Sequence, residues 1–317
     1  MWRGFLFSHL TIALLIYGSG ISGIAAARFY LEVHPECKVL LLEKDTCLGG
    51  VWNKRRGYEG FWTQWTVGTA EFSDTPMPRP PPDDTYYDFF KAKYTTQYLE
   101  NYVNQHTFSG QSLRERILFS TEVSKVSKID GRWVILTTSK ATDTKAFSTP
   151  KLIVASGLTS VQNMPELPGI EKFGAPVIHH ENFGSSSVII SSEIQHVTVL
   201  GGAKSSADMV YEAVKAGKKV SWIVRQTGTG PAFFLSPKGK GPYNNAFELG
   251  SIRAASTLSP SYLTPSNAWT RFLHETETGR RIVKGIWAGA NSQALPPPDL
   301  KHREKFIPAT PYAKFAS

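Results

Sequence analysis

Blocks of apolar residues separated by polar and glycine-rich segments predict the same strand–turn–helix–strand unit twice. In the first unit an apolar run at 12–17 (IALLIY) precedes a glycine turn, a small-residue helix over Ile21–Val33 and a second apolar strand within 37–45 (CKVLLLEKD). The layout returns over 196–226. Short apolar strands alternating with helices are typical of a parallel sheet. The sequence therefore predicts an α/β fold with two Rossmann-like, three-layer dinucleotide-binding domains.

The segment between the two units has strand periodicity. It reads STEVSKVSKI at 120–129, RWVILTT at 132–138 and KLIVASG at 151–157. Alternating apolar and polar positions predict a meander of exposed strands, and the continuous apolar run predicts a core strand. Val123 lies on the first of these strands.

The first turn carries Gly18, Gly20 and Gly23 in the spacing G-x-G-x-x-G. In a dinucleotide site the first glycine makes the turn, the second admits the pyrophosphate and the third lets the helix approach the strand. Glu43 ends the second strand, where a carboxylate accepts from ribose hydroxyls and repels a 2′-phosphate. This turn is therefore expected to bind FAD or NAD; the alternative is a glycine-rich corner without a ligand.

The second turn keeps Gly201 but has Ala203 and Ser206 at the other two glycine positions. The Ala203 methyl group stands where a phosphate would come closest, so weaker binding is expected. The second strand ends in Arg225, which can make paired hydrogen bonds to a 2′-phosphate, with Lys204 as a further cation. The sequence favours NADP here; a solvated strand-end arginine is the alternative.

Composition narrows the possible partners. The chain has 317 residues and a formal charge of +9, but its Lys and Arg are scattered, so no nucleic-acid partner is expected. Two cysteines exclude a disulfide framework, and no metal site is predicted. The apolar run from Phe5 to Tyr17 is too short to span a bilayer. We interpret the end of this run, Ile12 to Tyr17, as the first strand and expect a cytoplasmic protein. The alternative is a signal peptide or membrane anchor. The role of residues 1–9 is open.

Three further motifs resemble the flavin-containing monooxygenases, the FAD- and NADPH-dependent family of the dimethylaniline monooxygenase type. They are EKDTCLGGVW at 43–52, TQWTVGTAEFSDTPMP at 63–78, and F-x-A-x-x-x-H-x-x-x-F from Phe173 through His179 to Phe183. The resemblance implies that FAD is bound by Gly18, Ser19, Gly20, Gly23, Glu43, Lys44, Gly50, Val51, Trp52, Thr63 and Val123. It implies that NADPH is bound by Gly201, Ala203, Lys204, Ser205, Ser206 and Arg225. Gln64 takes the place of the family's asparagine over the flavin ring and is the candidate catalytic residue.

The resemblance also implies a reaction. NADPH reduces FAD, O2 forms a C4a-hydroperoxyflavin, and one oxygen atom passes to a small-molecule nucleophile with a soft nitrogen or sulfur. A Baeyer–Villiger oxygenase is a weaker alternative, because Phe183 is followed by Gly184 and Gln64 stands where an aspartate would be. A nucleotide-binding remnant without catalysis is the main alternative. A disulfide reductase is not expected, since Cys37 and Cys47 are not closely spaced.

The family inserts its NADPH domain into its FAD domain. We therefore predict an FAD-binding domain at 10–160, an NADPH-binding domain with a helical segment at 161–300, and a polar tail at 301–317. No apolar strands follow the second domain, so the segment that returns to the FAD domain is expected to be absent. Such a chain could be inactive, and its oligomeric state is open.

Overall fold

The computed structural model describes residues 12–139, 145–158, 161–224, 237–261, 263 and 265–293. The strands are β1 Leu14–Tyr17, β2 Val39–Leu42, β3 Trp62–Thr66, β4 Thr85–Tyr86, β5 Phe89–Lys91, β6 Thr107–Phe108, β7 Gln111–Ser112, β8 Ile117–Leu118, β9 Thr121–Ile129, β10 Arg132–Ser139, β11 Lys145–Thr149, β12 Leu152–Val154, β13 His196–Leu200 and β14 Lys219–Ile223. The helices are α1 Ile21–Val33, α2 Lys93–Gln105, α3 Lys204–Lys215, α4 Ala246–Gly250, α5 Arg253–Ser256, α6 Ala268–Glu275 and α7 Glu277–Gln293.

The described residues form two compact units. The first contains residues up to 61, 70–79 and 91–185, and the second contains 62–69, 80–90 and residues from 186 onward. The sequence placed its domain boundary near 160, whereas these units divide after 185. The short segments 62–69 and 80–90 precede the second dinucleotide motif in sequence but belong with it by their contacts.

A four-stranded parallel sheet lies at the centre of the first unit. Its strands run in the order β12-β1-β2-β8, so the chain crosses over between each pair of neighbours. Helix α1 packs on the sheet through a buried face of Gly23, Ile24, Ala27 and Leu31, spaced for one side of a helix. The antiparallel sheet β11-β10-β9 contributes Ile135 to a buried cluster with Ile12, Leu15 and Leu42. These are the three layers that the sequence predicted.

Strand β12 forms one edge of this sheet. It pairs with β1 on one side, from Leu15↔Leu152 to Tyr17↔Val154. Among the described strands none pairs with its other side. Val154 is 62% exposed although it lies on a parallel strand, whose residues are usually buried on both faces.

The second unit repeats the strand–helix–strand motif. Strands β13 and β14 pair in parallel from His196↔Lys219 to Leu200↔Ile223, and α3 connects them. Helices α4 to α7 follow, as the sequence predicted for the helical part of this domain. Strands β3, β5 and β4 form a separate small sheet. No helix in the described part of the chain is long and apolar enough to cross a membrane.

Asp74 is the centre of a polar network in the first unit. Its carboxylate accepts hydrogen bonds from Tyr102 Oη at 3.0 and 3.1 Å, and Arg28 Nε and His106 Nε2 lie 2.8 and 3.1 Å from Oδ2. Burial alone raises the pKa of the Asp74 carboxyl, but the Tyr102 hydrogen bond and the neighbouring Arg28 and His106 outweigh it, so this pKa lies below its ordinary value. The network ties α1 to α2.

Asp74→Asn is expected to lower the free energy of unfolding by about 1–2 kcal/mol at pH 7, because Arg28 and Tyr102 lose a charged partner. Because the pKa of Asp74 is lower in the folded state than in the unfolded state, its charged form stabilises the protein at pH values above the unfolded-state pKa of about 3.9. This stabilisation is lost as the pH falls through the folded-state pKa. The difference between the two proteins should therefore shrink below about pH 4. Urea unfolding from pH 7 to pH 3 measures it. Asp130→Asn, in an exposed turn of the same unit, is the control; a constant difference across this pH range would contradict the expectation.

Candidate functional site

The first glycine turn follows β1 directly and begins the approach to α1. The Gly18 N–H donates to Leu42 O at 2.8 Å, which joins the turn to the end of β2. Gly18 has a φ of +105°, and a Cβ there would lie 2.4 Å from Ala155 O. A Cβ on Gly23 would lie 2.0 Å from Gly18 O. Both positions therefore require glycine for the fold itself, because backbone occupies the space of a side chain.

Gly20 faces the EKDTCLGGVW motif at 43–52. It is the N-cap residue of α1, and no side chain caps the helix. A Cβ on Gly20 would lie 3.7 Å from Gly50 Cα, and a Cβ on Gly50, whose φ is +59°, would lie 3.2 Å from Gly20 Cα. The two glycines thus bring bare backbone together beside the N-terminal end of a helix. Helix N–H groups and the helix dipole favour a phosphate at such a place.

Glu43 lies at the end of β2 and reaches into the turn. Its Oε2 accepts from both Ser19 N and Ser19 Oγ at 2.8 Å, and its Oε1 accepts from Asp45 N at 3.0 Å. The residue is 6% exposed. Its carboxylate therefore orders the glycine turn, and Oε1 retains lone-pair capacity for a further hydroxyl donor.

The Gly49–Trp52 segment is the second wall of this site, and we call it the flavin loop. Gly49 N–H donates to Ser19 O at 3.0 Å, and Thr96 Oγ1 donates to Trp52 O at 2.5 Å. Asn53, 2% exposed, follows the loop directly, and its side-chain amide donates to Asp45 Oδ2 at 3.0 Å. Neither Asn53 nor Thr96 is among the site residues predicted from the sequence; the signal available for Asn53 was a polar residue directly after the tryptophan.

The second glycine turn has the backbone of the first. Gly201 has a φ of +111°, and its N–H donates to Ile223 O at 2.9 Å, as Gly18 does to Leu42. The N-cap residue Ala203 adopts φ −88° and ψ 177°, close to the −72° and −178° of Gly20. Ser206 is buried at the third glycine position, and its Oγ donates to Ala203 O at 2.6 Å. The turn therefore has the same backbone geometry as the first turn, with a side chain at the third glycine position.

Lys204, at the start of α3, points into its own unit. Its Nζ donates to Asp208 Oδ2 at 2.5 Å and to Trp62 O at 2.8 Å. Burial lowers the pKa of the Lys204 ammonium, and the Asp208 carboxylate opposes this shift. The Lys204 ammonium group thus connects α3 to β3 by a hydrogen bond, whereas the sequence predicted a contact with the 2′-phosphate of NADPH.

Lys204→Met is expected to weaken the binding of NADPH and of NADH by the same factor. It should also lower the free energy of unfolding by about 1–3 kcal/mol, because the Lys204–Asp208 ion pair is lost. Titration with each nucleotide and chemical unfolding measure the two effects. Lys215→Met, at the exposed end of the same helix, is the matched control. A loss confined to NADPH would show instead that Lys204 reads the 2′-phosphate.

The other predicted site residues within the described part of the chain lie on β3, against the buried cluster of the first unit, or beside the two glycine turns. Thr63 and Gln64 lie on β3 in the second unit; Thr63 is buried with its hydroxyl 3.0 Å from Phe90 O, and the Gln64 side chain is exposed. Val123 packs against the buried cluster of the first unit. Lys44 and Ser205 are half-buried beside their turns, and Val51 is 47% exposed. Arg225 and the predicted tail at 301–317 lie outside the described residues.

Comparison with known proteins gives consistent matches. A family model described as pyridine nucleotide-disulphide oxidoreductase matches residues 15–259. An FAD-dependent monooxygenase of Fusarium langsethiae is 32% identical over 282 residues, covering 89% of this chain and 47% of that protein. The chain thus spans about half the length of the curated relatives that it matches.

Solved structures share the fold. A flavin-containing monooxygenase from Stenotrophomonas maltophilia aligns with a TM-score of 0.53 at 19% identity, over 72% of this chain and 60% of that one. A steroid monooxygenase bound to NADP aligns with a TM-score of 0.59 at 20% identity, over 90% of this chain and 53% of that one. These neighbours confirm the predicted α/β fold.

Proposed function

The chain belongs to the pyridine nucleotide-disulphide oxidoreductase family, and from this membership we propose that it binds FAD and NADPH and serves flavin-dependent monooxygenation. The resemblance to flavin-containing monooxygenases agrees with the curated FAD-dependent monooxygenases among its relatives. The observation that carries the proposal is the pair of glycine turns with matching backbone, each at the start of a helix.

The residues of the first turn fit FAD. Gly20 and Gly50 leave a cradle that a side chain would fill, and the uncapped N-terminus of α1 faces it. Glu43 would accept from a ribose hydroxyl through Oε1 while its Oε2 holds Ser19. A buried carboxylate at this point disfavours a 2′-phosphate, which assigns FAD to this turn and NADPH to the second. Gly201, Ala203, Ser205 and Ser206 would hold the NADPH pyrophosphate.

Bound FAD, once reduced by NADPH, would activate O2, so that one oxygen atom passes to the substrate and the other leaves as water. The work of the chain is then to bind, orient and shield. Ser19 and Glu43 order the phosphate turn, and Trp52 provides an aromatic wall. Gln64, on β3 of the second unit, stays the candidate catalytic residue that the resemblance implies, and its exposed amide can both donate and accept a hydrogen bond.

The substrate we propose is a small molecule with a soft nitrogen or sulfur nucleophile, oxidised by O2. The absence of an aspartate at Gln64 and the sequence Phe183-Gly184 favour this class over ketones. Conversion of a ketone to an ester would support the Baeyer–Villiger alternative instead.

Disulfide chemistry is not part of the proposal. The two cysteines are free thiols, Cys37 half-buried and Cys47 buried. Burial raises the pKa of the Cys47 thiol, which keeps it protonated near neutral pH and makes it a poor nucleophile.

The testing experiment is the visible absorption spectrum of the purified chain after addition of FAD, followed by anaerobic NADPH. We expect a stoichiometric flavin spectrum that bleaches with NADPH, followed by oxygen-dependent oxidation of a thioether or tertiary amine. A chain that binds neither FAD nor NADPH would overturn the proposal. Binding of both without bleaching would support the nucleotide-binding remnant without catalysis.

A further inference from the structure

The segment from His179 to Gly184 contacts the stretch directly after the flavin loop. We define this stretch, residues 53–61, as the loop extension, and both segments lie in the first unit. The segment carries the second half of the F-x-A-x-x-x-H-x-x-x-F motif, for which the proposed function has no role.

Local structure sets the direction of the segment. His179 is the N-cap residue of a short 3-10 turn over His180–Asn182, and its side chain accepts from Glu181 N at 3.4 Å. The backbone N–H groups of Asn182 and Phe183 complete the turn. The motif histidine thus shapes the turn that presents Glu181 and Phe183, which follow it by two and four residues.

Three contacts join the segment to the loop extension. Arg56 Nη1 lies 3.2 Å from Glu181 Oε1, with side-chain exposures of 16% and 8%. The ring of Phe183, a residue 5% exposed, meets that of Tyr58 edge-on at 5.1 Å. A Cβ on Gly184 would lie 2.3 Å from Gly57 O, so the two backbones touch.

An aromatic series continues from this contact to the flavin loop. Tyr58 stacks on Phe61 at 4.9 Å, and Phe61 stacks on Trp52 at 5.6 Å. Phe183 therefore connects to Trp52 through two intervening rings. Offset and edge-on aromatic pairs stabilise beyond the area that they bury, so this series restricts the position of Trp52.

We propose that the His179–Gly184 segment is a clamp that positions the flavin loop, with Glu181 and Phe183 as positioning residues for the flavin. The clamp itself follows from contacts in the first unit; only the identity of the ligand rests on the proposed function. The Arg56–Glu181 ion pair and the backbone contact at Gly184 fix the position of the loop extension. The packed rings of Phe183, Tyr58 and Phe61 in turn restrict the position of Trp52.

Hydrogen exchange of the whole chain tests the clamp without any ligand. Phe183→Leu should raise the exchange rate of amides at 49–61 by at least about tenfold, while amides of β9 and β10 stay unchanged. Phe183→Tyr keeps the ring and should restore the wild-type rate. Phe173→Leu is the matched control, since this motif phenylalanine is 59% exposed.

Titration of the same variants with FAD tests the link to the flavin. The dissociation constant should rise by a similar factor in Phe183→Leu and in Glu181→Gln, and stay near wild type in Phe183→Tyr and Phe173→Leu. Unchanged exchange at 49–61 in Phe183→Leu would overturn the clamp, as would an equal rise throughout the unit. A raised exchange rate in a chain that does not bind FAD would keep the clamp and refute the proposed function.

Discussion

Gly23→Ala is expected to destabilise the first unit by more than about 3 kcal/mol, because the new Cβ would meet backbone that cannot retreat. The Cβ would lie 2.0 Å from Gly18 O. Gly18 cannot move aside, because Ala155 O lies only 2.4 Å from the position that a Cβ on Gly18 would take. Helix α1 must therefore move away from the sheet. Thermal unfolding followed by circular dichroism should show a midpoint lower by roughly 6–12 °C.

The control for this substitution is a helical glycine with free space. Gly285→Ala, in α7, meets nothing within 4 Å and should leave the protein as stable or slightly more so. A Gly23→Ala protein with a wild-type unfolding midpoint would show that α1 does not pack on the turn as described.

Gly20→Ala is expected to separate binding from folding. The new Cβ would lie 3.7 Å from Gly50 Cα, an ordinary contact, and the residue has a φ of −72°. Stability should therefore change by less than about 0.5 kcal/mol. FAD affinity should fall at least about tenfold, because a methyl group in the cradle displaces phosphate from a charge-assisted hydrogen bond worth about 1.5–3 kcal/mol. Quenching of flavin fluorescence measures this affinity.

Gly250→Ala, at the end of α4 with nothing within 4 Å, is the matched substitution outside the site. It should leave FAD affinity unchanged. Undiminished FAD binding by Gly20→Ala would show that no phosphate approaches the turn, and the first-turn assignment would then be wrong.

Local pattern was sufficient for the elements that carry the turns. The helix predicted over Ile21–Val33 has those bounds in the structure, and the first strand begins at Leu14, two residues later than expected. Both features depend on neighbours in sequence: apolar periodicity, small residues and glycine at the turn. The predicted β-rich segment after 120 and the second strand–helix–strand motif are confirmed for the same reason.

Contacts between distant residues were beyond the reach of such patterns. Arg56 and Glu181 are 125 positions apart, and nothing in either neighbourhood predicts the other. The partner of Lys204 was missed similarly, because a lysine beside a glycine turn suits a phosphate as well as it suits Asp208. The assignment of 62–69 to the second unit also depends on contacts of this kind. The roles of the individual site residues stay predictions.

Among the described strands, none pairs with the outer side of β12, so this edge of the central sheet can pair with another chain in concentrated solution. A sheet edge presents a row of backbone donors and acceptors that another chain can pair with, and proteins usually guard such edges with charge or proline. Here the outer strand is Leu152, Ile153 and Val154, with Val154 largely in solvent. Solubility should accordingly be limited by self-association at this edge, increasing with protein concentration, before it is limited by thermal unfolding.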